Sequence, residues 1–197
     1  MKNIHIICEG YEDFKYLARL KEIKVFSNIY NISLDNAKGS GSVFYKYQDA
    51  FINDNYDLVL ICIDTDRKRR EYNIIKGKLL KMFGEEENIK MIIFSSPCIM
   101  QIILLHFEFV KLESQSKLEA STYIKKYIDF DGIYDAHDDQ INKIMENINV
   151  DNYYYMKLNL ESISTDEKIT PSTNFLYFFN SLENDCIDWI NNINKYL

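Results

Sequence analysis

Six consecutive apolar residues, Leu58 to Ile63 (LVLICI), run directly into Asp64. An apolar run without alternation reads as a strand buried on both faces, which is how parallel sheets covered by helices hide their strands. Asn3 to Cys8 (NIHIIC) and Ile89 to Phe94 (IKMIIF) share the pattern, and Lys24 to Ile29 is the expected remaining strand. Helical spacing lies between them: Tyr11 to Lys21, Val43 to Ile52 after the turn Lys38 to Ser42 (KGSGS), Tyr72 to Phe83, and Ile99 to Phe107. This alternation predicts an α/β fold, a mostly parallel, Rossmann-like four-stranded sheet flanked by helices. The second half is less regular. Leu118 to Ile128 and Ile141 to Ile148 read as helices, Tyr153 to Leu160 as a short strand, and Asn174 to Tyr196 as one or two helices. The expected organisation is an α/β core over 1–110 and a mainly helical C-terminal extension over 111–197, packed on the core.

A chain of 197 residues, 47% hydrophobic and 27% charged, suits one elaborated domain and excludes a disordered one. The net charge of -7 argues against a broadly basic nucleic-acid coat and leaves room for a local basic patch. Cys8, Cys62, Cys98 and Cys186 lack zinc-site spacing and read as reduced thiols, mostly buried, of a cytoplasmic protein. The apolar run Ile4 to Cys8 is too short for a signal peptide. Met91 to Val110 is broken by Ser95, Ser96 and Pro97 and carries Gln101, His106 and Glu108, so no membrane span is expected.

Ligands of open parallel sheets bind outside the carboxyl ends of the strands. Glu9 and Gly10 follow the first strand, with Glu12 and Asp13 just beyond; Asp64, Thr65 and Asp66 follow the third; Ser95 to Cys98 are expected after the fourth. If the first and third strands are neighbours, Glu9, Asp64 and Asp66 converge. Clustered carboxylates repel one another and resist desolvation, and a hard, oxygen-seeking cation such as Mg2+ or Mn2+ relieves both. Gly10 suits a sharp turn and the approach of a phosphate. Arg67, Lys68, Arg69 and Arg70 form the densest basic run and open the next helix, where positive charge opposes the macrodipole. That placement makes sense against a polyanion; a solvated loop balanced by Asp64, Asp66 and Glu71 is the alternative. An apolar-helix histidine such as His106 is usually a hydrogen-bonded core residue. Tyr153, Tyr154 and Tyr155 suit alternating burial better than a base-stacking platform, and Trp189 suits an anchor for the C-terminal helix.

The strand-EG element (IICEGYED, residues 6–13) and the strand-DxD element (LICIDTD, residues 60–66) together resemble the TOPRIM domain of topoisomerases, bacterial primases, OLD-type nucleases and RloB-like proteins. SSPCIMQIILLHFE (95–108) and ITPSTN (169–174) are similar to segments of the RloB-like group. The resemblance implies a divalent-metal-dependent nuclease or related phosphoryl-transfer site. Glu9 would act as metal ligand or general acid/base, and Asp64 and Asp66 would hold the ion. Gly10, Asp13, Ser96 and His106 would support them, with Arg67 to Arg70 on nucleic acid. It also implies a role in bacterial phage defence of the abortive-infection kind. The partners it suggests are DNA or RNA, an ATPase protein and a second copy of the chain. The chain departs from the pattern at Ile99 and Met100, where an acid is expected. Glu108 or Glu12 are the available substitutes, and the alternative is a catalytically degenerate module that binds nucleic acid or a partner protein. An aspartate phosphatase built on Asp64 and Asp66 ranks lower, because Lys68 stands where that class has a hydroxyl.

Overall fold

The computed structural model describes residues 1–53, 55–65, 69–84 and 90–194. Its first half alternates β1 (Lys2–Cys8), α1 (Tyr11–Glu22), β2 (Tyr30–Asn36), α2 (Ser40–Ile52), β3 (Leu58–Asp64), α3 (Arg70–Phe83), β4 (Ile92–Ser96) and α4 (Met100–Leu104). Then follow α5 (Lys117–Ile124), α6 (Asp138–Glu146), α7 (Val150–Leu160), β5 (Ser172–Thr173), α8 (Phe175–Glu183) and α9 (Asp188–Asn194). The sheet order is β2-β1-β3-β4-β5, with the first four strands parallel and β5 antiparallel. The chain steps from β1 outward to β2 and then returns across β1 to β3. That reversal puts α1 on one face and α2 on the other under the right-handed crossover rule. It also makes the gap between the carboxyl ends of β1 and β3 the switch point where such sheets take ligands.

The sheet has five strands, not the expected four. Ser172 and Thr173 pair with Ser96 and Ser95 because side chains take over from backbone at this edge. Thr173 Oγ1 donates to Phe94 O at 2.7 Å; Asn174 accepts from Phe94 N at 2.8 Å and donates to Ile92 O at 2.7 Å. The chain past residue 110 therefore supplies a strand to the core sheet. Lys24–Ile29 is not a strand. Lys24 takes a left-handed φ of 58° in the turn closing α1, and the strand follows as Tyr30–Asn36, in register with all of β1. Tyr153–Leu160 is helix, not strand: Asn149 and Asn152 cap each other reciprocally, and Tyr153, Met156 and Leu160 bury one helical stripe. The β propensity of three tyrosines yields to that cap and stripe, leaving Tyr154 and Tyr155 exposed. Ile89, the expected start of β4, lies outside the described residues; the strand runs on through Ser95 and Ser96. No described helix is long and apolar enough to cross a membrane.

One face of the core is aromatic. Tyr16 on α1 packs edge-on against His106, Phe175 and Phe179. His106 is 2% exposed; its Nε2 bonds the Tyr16 hydroxyl at 2.9 Å and its Nδ1 bonds Asn152 at 3.2 Å. It is thus a structural residue tying α4 to α1 and α7. Trp189 anchors α9 by donating to the Tyr30 hydroxyl at 3.0 Å.

Burial lowers the His106 pKa from 6.5 to about 3, Asn152 opposing in part. Between those values the unfolded chain binds a proton that the folded chain refuses, so stability falls as pH drops through that window. His106→Gln keeps a partner for Tyr16 without the titration. In urea melts from pH 6.5 to about 4 it is expected to lose less stability than wild type; parallel curves would contradict this.

Candidate functional site

β1 and β3 run side by side, Cys8 pairing with Cys62, so their polar followers arrive at the same edge. Glu9 N–H donates to Cys62 O at 2.9 Å, continuing the ladder one residue past the strand. Its side chain turns back across the switch point, and Glu9 Oε2 accepts the backbone N–H of Asp64 at 3.2 Å. Asp64 closes β3, and its Oδ1 accepts the Ser95 hydroxyl at 2.6 Å from neighbouring β4. Glu9 and Asp64 are thus brought together. Asp66, Arg67 and Lys68 lie outside the described residues. Arg69 precedes α3 at a left-handed φ of 50°, and Arg70 is the exposed first residue of that helix.

Two more acids join from the first turn of α1. Asp13 is 3% exposed; its Oδ2 accepts the Gly10 N–H at 3.1 Å and its Oδ1 lies 4.0 Å from the Cys62 sulfur. Gly10 has an ordinary extended φ of -124°, so no unusual turn demands glycine there. The pressure is steric: a Cβ would stand 3.3 Å from Asp13 Oδ2. Glu12 is held from the opposite side by the Tyr134 hydroxyl, which donates to Glu12 Oε1 from the segment between α5 and α6.

The electrostatics follow from the crowding. Burial, then the charges of Glu9 and Glu12, raise the Asp13 pKa from 3.8 to about 8, against the pull of the Gly10 N–H. Burial and the Asp13 charge push Asp64 well above the usual carboxylate range, the Ser95 hydroxyl opposing. Burial raises Glu12, with Tyr134 and Lys117 opposing. Among the described residues, Glu12, Asp13 and Asp64 join no ion pair. Nor do three or more His, Cys, Asp or Glu side chains among them form a ready-made metal site. Glu9 and Asp64 are two of the three ligands expected from the sequence; Asp66 is the third. The donor set is all oxygen, which suits a hard cation. Beside it Thr65 Oγ1 is buried without a hydrogen-bond partner among the described residues.

Glu12 and Asp64 open onto a cavity of about 190 Å³ between the core and the extension, bounded also by Met100, Gln115, Lys117 and Tyr134. Met100, where the resemblance expects an acid, stands in this wall. A larger cavity, about 750 Å³, meets Lys90, Asn174, Tyr177 and Asn192, but none of its described lining residues is acidic. Of the expected supports, Asp13 belongs to the cluster. Ser96 bonds Thr170 at 3.0 Å instead, and Ser95 takes the role against Asp64. His106 serves the aromatic core. Tyr134 was not legible: it is 122 residues from Glu12, in a loop with no motif.

An acid whose pKa is raised on folding binds its proton more tightly in the folded chain, so its stabilisation is complete below 3.8 and is lost as pH rises through about 8. Asp13→Asn keeps the acceptor for Gly10 N–H and removes the charge. In metal-free buffer it is expected to flatten the fall of the urea midpoint from about pH 5 to about pH 9 and to exceed wild type at the upper end; identical pH slopes would count against the cluster. Comparison of the chain with family models, with curated proteins and with solved structures finds no match.

Proposed function

We propose that the chain is a TOPRIM-like, divalent-metal-dependent nuclease or related phosphoryl-transfer protein acting on nucleic acid, with Mg2+ or Mn2+ held by Glu9, Asp64 and Asp66. The observation that carries this reading is the 3.2 Å contact of the Glu9 carboxylate with the Asp64 backbone at the switch point of the sheet. Two acids 55 residues apart meet there, beside two more, and a bound cation would relieve their repulsion. A dication bound there would polarise a phosphodiester and lower the pKa of a water for in-line attack.

The chain's own residues have distinct tasks in that scheme. Asp64 is aimed by the Ser95 hydroxyl, so its free oxygen keeps one direction. Glu9 is fixed by the Asp64 amide and serves as ligand or as general acid/base. Asp13 holds a proton or a charge according to what its neighbours carry. Arg69 and Arg70, with Arg67 and Lys68, lie next to the acidic edge in sequence and attract the phosphate backbone. A place in phage defence, with an ATPase partner, rests on the resemblance alone.

Met100 in the wall beside Asp64 favours a second reading, a degenerate module that binds nucleic acid or a partner without cutting. Calorimetric titration with Mn2+, together with cleavage of labelled single- and double-stranded DNA and RNA, separates the two. Loss of an outer-shell partner commonly weakens metal sites about 10–100-fold, so the ligand change Asp64→Asn should weaken Mn2+ by at least that much. Glu9→Ala should abolish cleavage. Equal weak Mn2+ binding by wild type and Asp64→Asn would remove the metal site; Mn2+ binding without cleavage of any substrate would favour the degenerate module.

A further inference from the structure

The cavity beside Asp64 has a chemistry that neither the sequence motifs nor the metal scheme uses. Its volume of about 190 Å³ falls below the roughly 300–1,000 Å³ of pockets that enclose drug-sized ligands. It is room for one flat heterocycle and too little for a base pair. Met100, Leu112 and Ala120 give it apolar sides. Its polar lining includes two acids, Asp64 at the end toward the switch point and Glu12, whose Oε1 is engaged by Tyr134, beside Ser114, Gln115, Ser116 and Lys117 of the extension. Glu12 Oε2 has no hydrogen-bond partner among the described residues. Lys117 is drawn toward Asp135, its ammonium bonding that side chain at 2.5 Å and its backbone oxygen at 2.9 Å, while its charge still reaches Glu12. When Asp64 and Glu12 are ionised, this wall disfavours a phosphate inside the cavity. It accepts a neutral ring that presents N–H donors.

We propose that this cavity takes one unpaired nucleobase bearing an exocyclic amino group, with the attached backbone phosphate at the carboxyl ends of β1 and β3. The pocket rests on the nuclease-type reading above and narrows its substrate to single-stranded or locally unpaired nucleic acid. Cytosine, adenine and guanine offer an amino group to the free Glu12 oxygen. Thymine and uracil offer one N–H flanked by two carbonyl oxygens, which a carboxylate repels. A base inside a duplex cannot enter without leaving its stack.

The test is fluorescence anisotropy of labelled oligonucleotides with Ca2+ in place of Mg2+. Wild type should bind an oligodeoxycytidylate at least roughly tenfold more tightly than an oligothymidylate or a duplex, the scale of one hydrogen bond to a charged group. Ala120→Leu fills the pocket and should erase the preference while leaving Mn2+ affinity unchanged; a circular-dichroism melt checks its fold. Glu12→Gln preserves the shape and replaces an acceptor oxygen by an amide nitrogen, and it should also erase the preference. Free cytidine competing with the strand, where deoxyribose phosphate does not, supports a base pocket. The reverse order of competition overturns it. Equal binding of the cytidylate, the thymidylate and the duplex by wild type, or an unaltered preference in folded Ala120→Leu and in Glu12→Gln, also overturns it. Because the preference is read by binding alone, loss of Mn2+-dependent cleavage with the preference intact overturns the nuclease reading only.

Discussion

Carboxylates brought out of water repel one another more strongly than they do in it, and that repulsion organises this molecule. The crossover that sets β3 beside β1 forces Glu9 and Asp64 to one edge, and the first turn of α1 adds Glu12 and Asp13. Stability alone gives little reason to gather four acids where two strand ends diverge. Each is tied down separately: Glu9 by the Asp64 amide, Asp64 by Ser95, Asp13 by the Gly10 amide, Glu12 by Tyr134. Hydrogen bonds orient these oxygens, and Glu12, Asp13 and Asp64 join no ion pair among the described residues.

The extension is part of this arrangement. It supplies the fifth strand through Ser172 and Thr173, the Asn152 partner of His106, and the Tyr134 hydroxyl over Glu12. The small cavity lies where Leu112, Gln115, Ala120 and Tyr134 of the extension face Asp64 and Met100 of the core. The acidic edge therefore has a wall, built by Met100 from the core and by Leu112, Ala120 and Tyr134 from the extension.

Much of the parallel core was legible. Unbroken apolar runs such as LVLICI have few ways to hide except in the middle of a sheet, and an acid at the end of such a run must emerge at its edge. Hence Glu9 and Asp64 are expected at one edge once the first and third strands are neighbours, as the pairing of Cys8 with Cys62 makes them. β2 was misplaced because Val25, Phe26 and Ile29 are apolar yet lie in a turn packed on the core, while the edge strand YNISLDN has one exposed side and little apolar signal. β5 was hidden because two residues, pinned by the side chains of Thr173 and Asn174, carry no periodicity. Ser95 and Ser96 were interchangeable in sequence; strand alternation sends one to Asp64 and the other to Thr170. Tyr134 reaches Glu12 only through the fold.

The most direct measurement is a crystal of the wild-type chain soaked in Mn2+, with anomalous scattering recorded at the manganese edge. The account predicts a peak within roughly 2–2.5 Å of oxygens of both Glu9 and Asp64, the span of hard-cation ligand distances. Saturating Mn2+ with no anomalous density between those two side chains would contradict it.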